Sequence, residues 1–426
     1  MAGFKDLKGQ GHAPTLFMAF LYFDMSFMVW TMLGPLSTEI AEALALTGHI
    51  MSAGEKATLL SLPILSGAIL RIVLGFGVDK LGAKVTALIS QSIVILALLT
   101  AYLLGDNITY NQLLIVALGL GFAGAAFAVA LPQAGQWYPP KLQGVVLGIA
   151  GAGNIGVVID FIFAPKIAEL WGWSAVFGVG ALMAIIVFIA YVLKAKDAPS
   201  SIYKANPKKL RDYGKLLKDK DTWWFSLFYA ISFGGFVGFA GYMKVYLMNT
   251  YSIDMSAFGV DILDESNVKV IAGYFGAICI FAGAVLRPVG GNIADKIGGI
   301  KALYFFYGAV ALLVALTAIV KLPFFVAIFV LFLIMASLGM ANGSVFQLVP
   351  QRFGKDIGIM TGLVGAAGGI GGTVLIKTLG WSQGTFGGYT EGFLIFGGVV
   401  IIAIIGLSLV KTRWRTTWGV QAGGRI

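Results

Sequence analysis

The stretch "RIVLGFGVDKLGAK" runs from Arg71 to Lys84, and "RPVGGNIADKIGGIK" runs from Arg287 to Lys301. Both read Arg-x-x-x-Gly-x-x-x-Asp-Lys-x-Gly, and each closes a long apolar run. Arg71 and Arg287 are 216 residues apart, and so are Gly75 and Gly291, Asp79 and Asp295, and Gly82 and Gly298. Elsewhere "FAVALPQ" from Phe127 answers "FQLVPQ" from Phe346, and "GIAGAGNIG" from Gly148 answers "GLVGAAGGIGG" from Gly362. Matching segments keep the same order and direction in each half of the chain. Such a parallel repeat folds as two halves related by an axis along the membrane normal.

The surroundings of the repeat say which solvent it meets. Of 426 residues, 58% are hydrophobic and only 12% charged, with a mean hydropathy of +0.88. A soluble chain of this length needs far more charge to cover its surface. Apolar stretches long enough to cross a bilayer core of about 30 Å recur throughout. Twelve spans are expected, the first at about 15–38 and the last at about 389–411. The fold class is therefore an all-α membrane protein of twelve transmembrane helices in two pseudo-symmetric six-helix halves. The polar opening "MAGFKDLKGQGHAP" leads into the first span without a small-residue cleavage site, so that span reads as retained. One cysteine, Cys279, excludes an internal disulfide, and its apolar setting reads as packing. The two histidines, His12 and His49, lie outside the spans. Neither a histidine metal cluster nor a buried histidine relay is expected, and no cofactor. With no nucleophile–base set or phosphate loop within the spans, the chain does not read as an enzyme.

The longest charged interruption, "KAKDAPSSIYKANPKKLRDYGKLLKDKD", covers residues 194–221. Its composition cannot span, so residues 196–218 form a linker between an N-terminal half, 1–195, and a C-terminal half, 219–426. Most of the 30 basic residues fall on the side of the linker and termini. Lys56, Lys166, Lys244, Lys269, Lys321 and Lys377 lie at or beyond the opposite ends, and only Arg71 and Arg287 lie within spans. The positive-inside rule then makes linker and both termini cytoplasmic, in a multi-pass protein of the inner, cytoplasmic membrane. The net charge of +10 reflects that bias and anionic lipid headgroups, not nucleic acid.

An arginine at the bilayer centre costs at least ~2.5 kcal/mol on insertion scales. Asp79 and Asp295 mark the cytoplasmic ends of their helices, and eight residues at roughly 1.5 Å each place the arginines about 12 Å inward. The pseudo-twofold brings both to one depth, facing each other. With no acidic residue there as an obvious shared partner, an anionic substrate offsets the repulsion, and a planar oxyanion suits the guanidinium fork. The competing reading is structural, an arginine satisfied by backbone carbonyls or a nearby Asp. Gly144, Gly148, Gly151 and Gly156 line or nearly line one helical face and read as close helix packing. Packing does not account for Asn154, an amide in an otherwise apolar helix that wants a polar partner.

Several segments together resemble the nitrate/nitrite porter family, NarK-like members of the major facilitator superfamily. They are "GAGNIG" (151–156), "GGIGG" (368–372), "WFSLFYAISFGGF" (224–236), "NGSVFQLVPQRF" (342–353) and the two arginines. The loop from Gly75 to Lys84 is also similar to the one that superfamily carries between its second and third helices. The resemblance covers essentially the whole chain and implies alternating-access transport of nitrate, and of nitrite, by a functional monomer in the lipid bilayer. It implies that Arg71 and Arg287 clamp the anion, that Asn154 and Tyr229 hydrogen-bond it, and that Phe127 and Phe346 pack against its plane. Gly151, Gly153, Gly365 and Gly368 would let helices slide. Asp79 and Asp295 read as latches of one conformation, with solvated loop charges as the alternative.

Asp24 and Asp160 interrupt apolar spans, and each is a candidate carrier of a coupling proton; Asp160 reads equally as a helix-end partner of Lys166. Proton-coupled import is the expectation, and nitrate/nitrite exchange the alternative. A carboxylate antiporter of the oxalate/formate type would instead pair Arg287 with Lys377, leaving Arg71 without a role. A sensor or scaffold on a carrier fold would need an appended signalling domain.

Overall fold

In the computed structural model, which describes residues 11–139, 142–199, 210–256, 265–353, 357–421 and 426, all regular structure is helical. Twelve helical segments are long and apolar enough to cross a membrane. They are α1 (Ala13–Thr31), α2 (Ala53–Leu81), α3 (Ala83–Asn107), α4 (Tyr110–Gln136), α5 (Ile149–Trp171) and α6 (Trp173–Lys194). After them come α7 (Lys220–Met255), α8 (Asn267–Ile297), α9 (Gly299–Ile319), α10 (Phe324–Phe353), α11 (Gly358–Phe386) and α12 (Thr390–Thr416). These are the twelve spans expected, in the expected order. Residues 200–209 of the anticipated linker lie outside the described residues, and its last part forms a short helix, Leu210–Leu217.

Local chemistry sets the helix ends. Ser52 and Glu55 form a capping box at the start of α2, and Thr109 and Gln112 form one at the start of α4, each satisfying donors the first helical turn leaves open. The last glycine of each repeated string has a left-handed backbone, φ 85° at Gly82 and 94° at Gly298. Both join helices through a turn that a Cβ would strain, which is why Asp-Lys-x-Gly recurs. The first turn is fastened further: the Lys84 N–H donates to the Asp197 carboxylate at 2.9 Å, and its ammonium to the Val192 carbonyl at 2.7 Å.

The sequence repeat has a counterpart in packing. Helix α2 lies against α4, α1 against α5 and α3 against α6; adding six to each number gives α8 against α10, α7 against α11 and α9 against α12. The two sets meet where α2 crosses α11 and where α5 crosses α8, a relation that the same exchange leaves unchanged. Glycines set the closest approaches. A Cβ on Gly339 would come within 2.1 Å of the Gly283 carbonyl oxygen, and one on Gly343 within 2.1 Å of the Arg287 carbonyl oxygen. Between α7 and α11, a Cβ on Gly371 would meet the Ala230 carbonyl oxygen at 2.2 Å. In a lipid environment helix association rests on such close van der Waals packing, because tails are as apolar as the helix faces.

The bundle has two chemically distinct ends. One carries Asp79 and Asp295, and there Asp221 at the start of α7 accepts from Arg352 at 2.8 Å, from Arg413, and from the Trp414 indole at 2.7 Å. These bonds tie α10 and α12 to α7. At the other end, the turn and short helix after α1 (Ser37–Leu46) carry Glu39 and Glu42, which pair with Lys244 of α7 and Lys269 of α8. That end is closed by ion pairs between helices from before and after the 200–209 stretch.

The glycine seam gives a prediction about stability. Gly343→Ala should lower the thermal unfolding midpoint in detergent by the equivalent of about 1–3 kcal/mol, because its methyl must displace α8 backbone. Gly362→Ala meets nothing within 4 Å and should leave the midpoint unchanged. Equal midpoints for the two variants would refute the seam's role.

Candidate functional site

Arg71 lies within α2 with 2% of its surface exposed. Its Nε donates to the Gly124 carbonyl of α4 at 3.1 Å, and its Nη1 to the Gly365 carbonyl of α11 at 2.5 Å. The first acceptor exists because α4 tightens at its middle. The Ala126 N–H turns back to Ala123, and the Ala128 N–H to Ala125, so the Gly124 carbonyl is left for a side chain. The structural reading of this arginine is thus partly met by carbonyls, while Nη2 is buried with no hydrogen-bond partner among the described residues. Aromatic faces surround the cation, with Cζ 5.5 Å from the Trp30 ring, 5.8 Å from Phe127 and 5.1 Å from Phe233.

Arg287 is half-buried on α8, its Cζ 5.4 Å from the Phe346 ring. Tyr229 of α7 joins the two arginines: buried to 1% exposure, it feels both cations, and its hydroxyl lies within reach of Arg287 and Asn342. The Tyr229 ring stacks on Phe233 at 5.1 Å and meets Phe346 edge-on at 5.0 Å. Phe346 in turn stands 6.3 Å from Phe127, so these rings close one continuous wall. Neither arginine forms an ion pair among the described residues.

Asn154 falls where the helical course of α5 tightens into a 3-10 turn, Ala152–Ile155. It is 4% exposed, and its Oδ1 is buried without a partner among the described residues. Asn342 of α10 is 2% exposed with an Oδ1 in the same condition. Two amides, one from each set of helices, therefore present unsatisfied polar atoms inside an apolar bundle, where such atoms are costly.

The glycines named from the sequence play different parts. The Gly365 carbonyl holds Arg71. A Cβ on Gly368 would strike the Tyr229 and Phe233 rings at 2.7 and 2.8 Å, and one on Gly153 would strike the Asp24 backbone nitrogen at 2.7 Å. Gly151 meets nothing within 4 Å. Asp79 and Asp295 sit at the far end, Asp295 exposed and Asp79 half-buried. Asp24 packs its backbone against Gly153 and Gly156, with Oδ1 buried and unpartnered among the described residues. Asp160 does not pair with Lys166 as a helix-end residue: Lys166 bonds Glu169 at 2.6 Å one turn further on, whereas Asp160 is 3% exposed in mid-helix. Lys377 reaches Thr58 of α2, so the Arg287–Lys377 pair of the carboxylate reading does not form here.

Trp30, Phe233, Asn342 and the Gly124 carbonyl belong to this site and were not singled out from the sequence. Two of them carried a signal. Phe233 follows Tyr229 by four residues, one helical turn, and Asn342 is an isolated amide in an apolar helix, as Asn154 is.

The family model of the Major Facilitator Superfamily matches residues 15–376. The "Probable nitrate/nitrite transporter NarK2" of Mycobacterium tuberculosis (strain CDC 1551 / Oshkosh) is 29% identical over 92% of this chain and 95% of its own. The "Probable nitrate transporter NarT" of Staphylococcus carnosus (strain TM300) is 32% identical over 81% of this chain and 82% of its own. Among solved structures, an inward-facing, occupied bacterial homologue of the human lysosomal transporter Spinster aligns with a TM-score of 0.69 at 15% identity, over 93% of this chain and 96% of that one. The chain belongs to the major facilitator superfamily and, within it, to the nitrate/nitrite porter family. It is a transporter and not an enzyme.

The two arginines differ in how far the fold depends on them. Arg71→Lys keeps the charge but cannot span both carbonyls, so in the absence of any anion its unfolding midpoint should fall by the equivalent of about 1–3 kcal/mol. Arg287→Lys, whose contacts are with the Phe346 and Tyr229 side chains, should change the midpoint much less. Similar losses from both would show that the carbonyl tethers of Arg71 carry little weight.

Proposed function

We propose that this chain moves nitrate, and nitrite, across the cytoplasmic membrane by alternating access, with the anion held between Arg71 and Arg287. The observation that carries the reading is Arg71 itself. A fully buried guanidinium is tethered by two carbonyls from different helices, keeps a free Nη2, and shares Tyr229 with a second cation. Two cations with no carboxylate paired to either among the described residues make a binding site for a small anion, and the planar fork matches a planar oxyanion. The names of the relatives supply nitrate and nitrite as that anion.

On this reading Asn154, Tyr229 and Asn342 donate to or orient the anion, while Phe127 and Phe346 wall it from either side. Residues 1–195 and 219–426 are the two halves, joined by 196–218, and they rock about the arginines while the chain works as a monomer in the bilayer. The linker end, with Asp79 and Asp295, is cytoplasmic by the positive-inside rule, as are both termini. Closure at the Glu39 end then makes this the conformation that serves the cytoplasm. Import is coupled to protons, with Asp24 and Asp160, two carboxylates in apolar helices, as their carriers.

Direct measurement of nitrate binding tests the clamp. Arg71→Lys and Arg287→Lys should each weaken it about ten- to a hundredfold, the loss of one charge-assisted contact of about 1.5–3 kcal/mol. Near-normal affinity in either folded variant would rule out the clamp.

The two helix faces should behave differently. Gly151→Val, with open space around it here, should slow exchange of labelled nitrate while sparing its affinity. Gly368→Val pushes on the Tyr229 ring and should weaken binding as well. Equal losses of affinity in both would place Gly151 at the anion. Proteoliposomes loaded with nitrite, or with no permeant anion, separate the driving forces: uptake into anion-free vesicles under a pH gradient supports proton coupling, and uptake that needs internal nitrite and ignores pH supports exchange.

A further inference from the structure

Lys244 is the most thoroughly buried cation in the second set of helices, with its side chain fully enclosed. Its ammonium donates to the Pro35 carbonyl at 2.5 Å and to both oxygens of Glu39, at 2.6 and 2.8 Å. This is the tie that binds α7 to the turn after α1 and so closes the Glu39 end. A second carboxylate lies within the electrostatic reach of the same ammonium. Asp160 of α5 is 3% exposed, has Oδ2 buried without a hydrogen-bond partner among the described residues, and feels the charge of Lys244.

The backbone brings the two together. A Cβ on Gly276 of α8 would touch both Phe161, next to Asp160, and Met243, next to Lys244. One turn before Asp160, Gly156 rests on the Asp24 carbonyl and the Met28 nitrogen of α1. Asp160 therefore lies where α5 packs against α1 and α8, and Met243 of α7 reaches the same α8 glycine as its neighbour Phe161. Asp160 is six residues, about 9 Å of helix rise, beyond Asn154.

We propose that Asp160 is the alternate seat of Lys244: the Glu39 end opens when the Lys244 ammonium leaves Glu39 and Pro35 for ionised Asp160, and closes when Asp160 is protonated and releases it. The proposal rests on the reading of the chain as a proton-coupled anion carrier, and gives that coupling a residue and a gate. In the open state Lys244 is paired with Asp160, and Glu39 is free. A proton arriving from that side adds to Asp160, neutralises it, and returns the ammonium to Glu39. In the closed state the proton leaves Asp160 towards the opposite side, and the carboxylate draws Lys244 back. One proton crosses per cycle, with no other bond made or broken. Among the described residues, the other charged groups near this cluster are Glu42 and Lys269, which pair with each other beside Glu39, Glu169 and Asp106, which line a cavity with them and bond Lys166 and the Trp173 indole, and Asp24, which packs against Gly156 from α1. The length of α6 packed on α5 carries no Asp, Glu, Lys or Arg before Lys194.

The gate can be read without any anion. Ala53 and Gly384 face each other at the Glu39 end, where a Cβ on Gly384 would lie 3.2 Å from that of Ala53. With Cys279→Ala as background, Ala53→Cys with Gly384→Cys should form a disulfide under mild oxidation in the closed state. Its rate, corrected for thiolate ionisation with a free-thiol control, should fall severalfold as pH rises and Asp160 ionises. Adding Asp160→Asn should hold the end closed and remove that fall. Adding Glu39→Gln should do the opposite, slowing the cross-link at all pH values because Lys244 loses its closed-state partner. In proteoliposomes without the cysteine pair, Asp160→Asn, held closed at that end, should lose both uptake driven by a pH gradient and counterflow of labelled nitrate, while a cooperative unfolding transition in detergent shows that it is folded. A cross-linking rate that depends on pH equally in Asp160→Asn overturns the proposal, as does undiminished gradient-driven uptake. Absence of nitrate counterflow in the unmodified protein would refute the nitrate reading alone, since the cross-linking result stands apart from the substrate.

Discussion

Burying the Arg71 guanidinium in an apolar bundle is the constraint from which the centre of this structure follows. A guanidinium has five N–H donors and cannot shed its proton, so the fold must supply acceptors or leave donors unmet. Two acceptors come from backbone, and each has a structural consequence. Gly124 can offer its carbonyl only because α4 tightens over Ala125 and Ala126. Gly365 can offer its own only because α11 passes close enough for Nη1 to reach it. The aromatic rings of Trp30, Phe127 and Phe233 add cation–π attraction, of about 0.5–2 kcal/mol each at most. They also keep lipid from the charge.

The two Nη2 donors are left over from that arrangement, and so are the amide oxygens of Asn154 and Asn342 among the described residues. Unmet polar atoms in a low-dielectric interior are individually unfavourable and would be selected against in a purely structural core. Such atoms occur in both sets of helices, on α2 and α5 and on α10. A contrast between packing and site runs through the glycines. Gly283, Gly290, Gly339 and Gly343 are seam residues, because backbone lies where their side chains would be. Gly365 and Gly368 instead border Arg71 and Tyr229, so the space they leave is taken by site side chains. The string from Gly362 to Gly372 thus does two jobs that composition alone cannot separate.

Much of the fold was legible in the sequence because bilayer thickness dictates span length and charge interrupts apolar runs. The repeat was legible because Gly82 and Gly298 need the same left-handed turn, and identical backbone needs preserve identical spacing. Arg71, Arg287 and Asn154 stood out as polar groups that an apolar helix must account for. What stayed hidden depends on distance across the bundle. Trp30 resembles any other apolar residue of α1 until its indole is seen to donate to the Pro63 carbonyl at 2.8 Å, one helix away. The free Gly124 carbonyl is a property of hydrogen-bond bookkeeping in three dimensions. Glu39 and Lys244 are 205 residues apart, and neither has a local partner that would point to the other. Sequence proximity makes Lys166 one of two readings for Asp160, but the i,i+3 geometry of a helix gives that lysine to Glu169.

Symmetry makes the two arginines equivalent in sequence, yet the structure treats them unequally. Arg71 is fully buried and tethered at two nitrogens, one of them across the interface to α11. Arg287 is half-buried, with Phe346 and Tyr229 as its neighbours. The pseudo-twofold would map α2 crossing α11 onto α8 crossing α5, and both crossings are present, but among the described residues only the first carries an arginine–carbonyl bond. An axis along the membrane normal exchanges the two sets of helices and leaves the two sides of the membrane distinct. Tying one cation to both sets and leaving its counterpart looser breaks the equivalence of the sets at the centre. The Glu39–Lys244 and Glu42–Lys269 pairs break it again at one end. Few polar contacts on a nearly symmetric apolar frame therefore hold the Glu39 end closed.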